Sequence, residues 1–369
     1  MDGKILAVNT GSTSTKIGLF RYGEKIFEQT LTHTVDVLSE FGTVMEQKDM
    51  RCRAVIEFLE SRGVDIVSVD IIMARGGLLA PVVSGVYEID DAMCEALREG
   101  KEGMHACNLS AIIADEIAKK INLEREKKGL PERCRAFIAD PPMADEMLPE
   151  AKLGGHPEFP RRALFHALNS RAMVRRYAFE HGRKPDEVTA IVAHMGGGTS
   201  VSVHMKGRVI DTTDSLGGDG PITPERAGTI PAFPIVDLCF SGRRTKEEIQ
   251  KMLVGKGGAV AYFGTNDFVD LIARAKRGDA DVRTFIEAFC LSVSKYIGYF
   301  SAVVCGKADA IILTGGIAKN AMITDEIRRR VEFIAPVVVY PGEDELQSLA
   351  ENGCAVLSGE AEIRHYHSS

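Results

Sequence analysis

The sequence predicts an α/β protein made of two related domains, and three observations carry that prediction. The first is a repeated opening. An apolar run at 5–8 leads into the polar turn Asn9-Thr10-Gly11-Ser12-Thr13-Ser14, then into strands at 16–20 and 26–31 around Gly23. The same order returns half a chain later. A run at 190–193 meets the turn His194-Met195-Gly196-Gly197-Gly198-Thr199-Ser200, followed by strands at 201–205 and 209–213 around Gly207. A single repeat of about 185 residues is too long for a solenoid and implies two copies of one domain. The second observation is that short apolar runs alternate with helical stretches, which gives mixed sheets covered by helices. The third is length: 369 residues, at roughly 150 per domain, make two domains.

The remaining elements follow in order from periodicity and turn residues. In the first half a helix is expected at 44–62, a strand at 69–73, a helix at 105–121 and a strand at 136–139. In the second half helices are expected at 161–180, 245–254, 266–276 and 282–304. A strand at 310–313, a helix at 318–332, a strand at 337–340 and a last helix at 344–358 complete the chain. Gly154-Gly155-His156-Pro157 and the stretch 217–234 read as loops that carry the domain junction and the cleft edges. The end, 365–369, reads as a frayed tail. The expected domains are 1–160 together with 344–369, and 161–343.

Composition excludes several classes. Hydrophobic residues at 45% and charged residues at 26% are ordinary for a globular chain with real cores. The net charge of -7 is spread without blocks, so the basic face of a general nucleic-acid binder is missing. Arg328-Arg329-Arg330 reads as an exposed helix face. Eight cysteines are scattered with no CxxC pair, which points to reduced thiols and an intracellular chain. No leader-like segment opens the sequence and no apolar run nears the ~18 residues of a span, so a soluble, cytoplasmic protein without membrane or nucleic-acid partners is expected.

Three glycine turns carry the chemistry. The first, 9–16, combines glycine with four consecutive hydroxyls at 12–15, an anion cradle of backbone N–H and side-chain donors. The second has three consecutive glycines between strands, an entropic cost that suggests close approach of a ligand. Two such cradles facing one another would hold a polyphosphate. The third, Leu313-Thr314-Gly315-Gly316-Ile317-Ala318-Lys319-Asn320, turns a strand sharply into a helix, leaving room for a planar group near a helix N-terminus. Each alone reads equally well as an ordinary turn, and none is a GxxxxGK[ST] loop.

In this order the turns resemble the phosphate-1, phosphate-2 and adenosine segments of the superfamily of acetate and sugar kinases, heat-shock chaperone ATPases and actin. Within it the chain is similar to the carboxylate kinases of the acetokinase family essentially from end to end. The strings VNTGSTSTKIGLF, ARGGLL, MHACNLSA, FIADPPMADEMLPE, RRALFHALNSR, HMGGGTS, GPITPERAGTIP, LTGGIAKN and YPGEDEL carry the match. The resemblance implies two duplicated actin-like ATPase domains, each ribonuclease H-like, with a nucleotide cleft between them and the adenosine site in the second. It implies reversible phosphoryl transfer between ATP and a short or branched fatty acid such as butyrate, giving an acyl phosphate and ADP, with Mg²⁺ as cofactor and a homo-oligomer, dimer or larger, as the assembly.

Residue by residue, the resemblance implies that Asn9, Ser12, Ser14 and Lys16 form the first phosphate turn, with Asn9 near the transferring group. It places His105 near the acid and phosphate, Asp140 as an acidic residue acting through the metal or by orienting an arginine, and His166 on the transferring phosphoryl group. His194, Gly196 and Gly198 match the second phosphate turn; Gly315, Gly316 and Ile317, with Asn320 nearby, match the adenosine segment. In the cluster Glu343-Asp344-Glu345, Asp344 and Glu345 are the expected metal ligands. Two departures stand out. The family carries arginines where this chain has Ile72 and Ile230, so Arg75 and Arg226 are the expected substitutes. A valine lining the acyl pocket becomes Ala74 and a leucine becomes Met104, which with Pro224 describe a wider pocket for an acid longer than acetate. Acetate or propionate as the acid, a sugar kinase using Asp140 as base, and a nucleotide switch remain as rival readings.

Overall fold

A computed structural model describes residues 3–130 and 133–366. The chain divides into two compact units, 1–144 with 344–369, and 145–343. Residues 145–160 therefore belong to the second unit. Leu148 N donates to the Ile210 carbonyl, and Arg161 Nη1 donates to the Ala151 carbonyl, which ties them there.

The first unit opens with β1 (Lys4–Thr10), β2 (Ser14–Arg21) and β3 (Glu24–Thr32), each antiparallel to the next. A short α1 (Val35–Ser39) precedes α2 (Lys48–Ser61) and β4 (Ile71–Arg75), which lies parallel to β1. Then come β5 (Val86–Glu88), α3 (Asp91–Glu99), α4 (Asn108–Lys127) and β6 (Arg135–Ala139), the last parallel to β4. β1 is buried on both faces, so its residues run apolar without alternation. Leu6, Val8, Ile72 and Ala74 on one face pack with the apolar stripes of α2 and α4.

The second unit repeats this plan. It begins with α5 (Ala167–Glu180), then β7 (Ala190–Met195), β8 (Thr199–Met205) and β9 (Arg208–Thr212), again successively antiparallel. Helices α6 (Ala232–Phe240), α7 (Lys246–Leu253), α8 (Gly258–Phe263), α9 (Phe268–Lys276) and α10 (Ala280–Ser301) follow. β10 (Ala310–Gly315), α11 (Ala321–Val331) and β11 (Val337–Pro341) close it, with β10 parallel to both β7 and β11. The sheet orders match strand for strand: β6-β4-β1-β2-β3 in the first unit and β11-β10-β7-β8-β9 in the second. After β11 the chain returns to the first unit as α12 (Glu345–Ser358) and β12 (Ile363–His365).

Three differences from the sequence reading have physical causes. β12 pairs in parallel with β5 and Tyr366 is buried in the core, so 363–365 are part of the sheet and 366 packs against it instead of fraying; 367–369 lie outside the described residues. Three residues are too few to show a period. Residues 161–166 are not helical, because Arg161 is held by Asp211, Asp219 and the Thr212 carbonyl and Leu164 bridges Asp214. The loop read at 217–234 gives way to α6, whose apolar run has no polar face to mark it as a helix.

Candidate active site

Parallel strands present their carboxyl ends on one edge, the usual place for ligands in such sheets. In the first unit that edge carries Asn9 on β1, Arg75 as the last residue of β4, and Asp140 directly after β6. Side chains alternate along a strand, so Ile5, Ala7 and Asn9 share one face, as do Met73 and Arg75. That face meets α12: a Cβ at Gly353 would press on Ile5 and Met73. The same packing puts Glu345, at the start of α12, beside Asn9 and Arg75. Asn9 is buried and its Nδ2 donates to Glu345 Oε2; Arg75 Nη1 lies 3.5 Å from the same oxygen. Asn9 Oδ1 is buried with no hydrogen-bond partner among the described residues. Lys16 stands opposite Asn9 in the β1–β2 register and so faces the same side.

The turn after β1 is held from beneath by a residue the sequence reading passed over. Arg51, on α2, is fully buried. Its Nη1 donates to the carbonyls of Gly11 and Ser14 at 2.9 Å, and its Nη2 to that of Ser12 at 2.8 Å. Those bonds turn the carbonyls inward and leave the outer side of the turn to N–H and hydroxyl donors. The signal was available: position 51 lies on the stripe of Val55 and Leu59, where a charge has to find partners. Thr10 Oγ1 donates to the Ala106 carbonyl at 2.6 Å, which brings the neighbouring His105 to the same end of the sheet. His105 Nδ1 accepts from Cys107 N. Asp140 is buried in the left-handed region at φ 42°, with Oδ1 accepting from Gly85 N at 3.1 Å. Such a backbone persists only where its surroundings over-determine it.

Ala74 needs correction as a pocket residue. It is fully buried in the core on the α2–α4 side of the sheet, the face opposite Arg75. Met104, by contrast, is 46% exposed.

In the second unit the same edge holds His194 on β7, the 196–198 turn, Gly315 on β10 and Glu343 after β11. His194 is buried; its Nδ1 lies 2.9 Å from Asn169 Oδ1 and its Nε2 3.2 Å from Glu343 Oε2. His166, just before α5, stacks on His194 with ring centroids 3.8 Å apart and planes 6° from parallel, and its Nδ1 sits 2.8 Å from Ser200 Oγ. Gly196 N donates to the Gly198 carbonyl, closing a tight turn, and Arg226 lies against it: a Cβ at Gly198 would collide with the guanidinium. Arg226 Nη1 also donates to the Ser215 carbonyl. At Gly315, φ is 91° and a Cβ would collide with the Met195 carbonyl, so glycine alone fits where β7 and β10 end together. Asn169 and Ser200 are contributors that only the folded chain identifies, and Glu343 is the member of the acidic cluster that the sequence reading set aside.

A cavity of about 570 Å³ adjoins these turns, bordered by Gly196, Gly316, Ile317, Asn320, Pro224 and Glu343. Asn320 caps α11 through Met322 N. Pro224 thus borders this cavity, in the second unit. A larger cavity of about 840 Å³ lies among α9, α10 and α11, lined by Lys276 and Arg283 and by Arg329 and Arg330, which both pair with Glu326; of the arginine triplet Arg329 alone is exposed.

No group of three or more histidine, cysteine or acidic side chains is placed to hold a metal among the described residues. Glu345 and the unpartnered Asn9 Oδ1 nevertheless offer two hard oxygens, which suits a Mg²⁺ that keeps waters and takes phosphate oxygens. Asp344 is otherwise engaged, capping α12 through Gln347 N and lying 3.8 Å from Lys25. All eight cysteines are free; burial pushes Cys94, Cys134 and Cys290 up to about 12, so none of these three is a ready nucleophile. No helix among the described residues is long and apolar enough to cross a membrane.

Comparison with known proteins agrees with this architecture. Residues 158–344 match the model of the acetokinase family. The chain is 44% identical to butyrate kinase 1 of Clostridium acetobutylicum over 98% of its own length and 99% of that protein. It is 42% identical to a probable butyrate kinase of Clostridium botulinum over 99% of this chain and all of the relative. Among solved structures, an acetate kinase of Porphyromonas gingivalis aligns at TM-score 0.76 and 17% identity, covering 96% of this chain and 100% of that one. A propionate kinase of Francisella tularensis aligns at 0.73 and 18%, covering 95% and 98%. The fold is the actin-like ATPase fold that these kinases share. With such identity across almost the whole length, and with paired sheets that bear their polar residues at the same carboxyl ends, the chain belongs to the acetokinase family.

Proposed function

We propose that this chain transfers a phosphoryl group reversibly between ATP and a short-chain carboxylate, with butyrate the preferred acid and butanoyl phosphate and ADP the products. The observation that carries the reading is 44% identity, end to end, with a butyrate kinase. A carboxylic acid titrates near 4.3, so at neutral pH the nucleophile is already an anion and needs no general base. The task is to bring that anion against a triphosphate and to balance charge on the moving phosphoryl oxygens.

In this reading Arg75 and Arg226 balance that charge, and His166 donates a hydrogen bond to the moving phosphoryl group. His194 supports His166 from behind through their stack. Ser12, Ser14, Lys16, Gly196 and Gly198 bind the phosphates, and Gly315, Gly316, Ile317 and Asn320 border the adenosine. Asn9 and Glu345 hold the metal, Mg²⁺, which when bound neutralises phosphate charge; Asp344 keeps its helix cap. Asp140, pinned to Gly85, and His105 orient the acid and its arginine. Met104 is the residue that sets chain length, while Pro224 borders the cavity assigned to the nucleotide. The enzyme is cytoplasmic and a homo-oligomer.

Hydroxylamine trapping of acyl phosphate, with ATP, Mg²⁺ and straight or branched acids of two to five carbons, tests this. The expected signal peaks at butyrate. A peak at acetate would keep the reaction and reject the acid. Silence with every acid, while ATP still binds, would reject carboxylate kinase chemistry.

A further inference from the structure

Thr223 lies in the loop 214–229 that carries Arg226 in the second unit, and its side chain is buried. Its Oγ1 accepts from Glu225 N at 3.2 Å and from Arg226 N at 2.9 Å, while Thr223 N donates to the Arg226 carbonyl at 3.1 Å. Pro224 has no N–H of its own, so the hydroxyl takes the next two amides and closes a tight turn over 223–226. Two accepted bonds fill both lone pairs and leave a single proton to give. That proton goes out of the turn, to the Gly197 carbonyl at 3.1 Å. From the other side α8 holds the turn in place: Ala259 N donates to the Thr223 carbonyl, and a Cβ at Gly258 would collide with the same oxygen.

We propose that Thr223 is a positioning residue for phosphoryl transfer, fixing the glycine turn 196–198 and Arg226 relative to one another; this rests on the carboxylate kinase reading above and adds a residue to it. A trans peptide is planar and carries its carbonyl and N–H on opposite sides. Holding the Gly197 carbonyl toward Thr223 therefore turns the Gly198 N–H away from it, so that the phosphate turn keeps one donor orientation. The same hydroxyl fixes the backbone of Arg226, whose guanidinium lies against Gly198. One side chain thus orients a neutral donor and a cation that act together on phosphate oxygens. Such preorganisation lowers the barrier because no group has to reorient as charge moves. A second anchor of the same loop supplies a control. Tyr296 on α10 pairs with Thr229 Oγ1 and donates to Asp219 Oδ1 at 3.3 Å, bonds that hold the loop without reaching the glycine turn.

Steady-state kinetics of acyl-phosphate formation by the full chain, with Thr223→Val, Thr223→Ser and Tyr296→Phe variants, tests the role. Valine keeps the shape and loses the three side-chain bonds; serine keeps the hydroxyl. The expected result is a fall in kcat of about 10²-fold for Thr223→Val, with KM for ATP within about threefold of the parent. Thr223→Ser and Tyr296→Phe should both stay within about fivefold of the parent in kcat. Should valine prevent folding, Thr223→Ala takes its place. Hydrogen exchange read by mass spectrometry follows the link without activity. Thr223→Val should speed exchange about tenfold in peptides spanning 194–200, and Tyr296→Phe should speed it only within 216–229. An unchanged kcat in Thr223→Val, or an equal fall in Tyr296→Phe, would overturn the positioning role. A parent silent with every acid would reject carboxylate kinase chemistry, and exchange then decides: an unchanged 194–200 overturns the link between turn and arginine, and a faster one keeps it.

Discussion

Asn9 and Glu345 show how much a single residue's surroundings decide. An asparagine ending a strand is unremarkable in sequence; here its Nδ2 is committed to Glu345 while its Oδ1 is buried without a partner. Replacing Glu345 by Gln removes the charge and keeps the shape. The expected outcome is a fall in kcat of about 10²- to 10³-fold with little change in Tm, measured by steady-state kinetics and thermal melts. Arg51 should behave differently. Arg51→Met strands three carbonyls that the guanidinium now satisfies, and is expected to cost about 2–4 kcal/mol in urea unfolding as well as activity. An unchanged unfolding midpoint would reject its role as the scaffold of the turn.

At the scale of elements, strand faces govern. β4 offers Arg75 toward α12 and Ala74 toward α4, and no shift of a strand can put neighbours on one side. Ala74→Val therefore adds two methyl groups to a filled core. It should lower stability by about 1–3 kcal/mol and leave the chain-length profile of the acids unmoved, which a melt and the trapping assay decide together. On β8, His204 is buried beside Ser202, and burial, helped by Arg171 and Arg175, pushes it down to about 3. In the unfolded chain it titrates near 6.5. Between those values the unfolded state binds more protons, so this histidine's contribution to stability is present above about 6.5 and is lost as pH falls toward 3. His204→Gln should thus show a flatter decline in urea stability from pH 6.5 to 4.5 than the parent.

For the whole molecule, the two sheets share one strand order, and the repeated opening at 5–31 and 190–213 made that doubling legible. Most long helices and strands were visible too, because each buries a regular stripe. β5, α3 and β12 were not, being short or at an edge where periodicity has no length to build. If the 570 Å³ cavity takes the nucleotide, ADP at a hundred times its Kd should stabilise the folded chain by about 2.7 kcal/mol, read as a rise in Tm that free phosphate does not reproduce. No rise would remove the adenosine site from that cavity.

The sequence by itself determined the doubling, the three glycine turns and the candidate acids, bases and cations, since these depend on local spacing and residue chemistry. Only the tertiary structure decided which of them meet. The Asn9–Glu345–Arg75 cluster joins β1, β4 and α12, and the His166–His194–Glu343 stack joins α5, β7 and the end of β11. Contacts across such separations follow from strand register and from the helix laid on each face. One residue's worth of register or face separates Arg75 from Ala74, and the arrangement of whole layers fixes that, not the residues on either side.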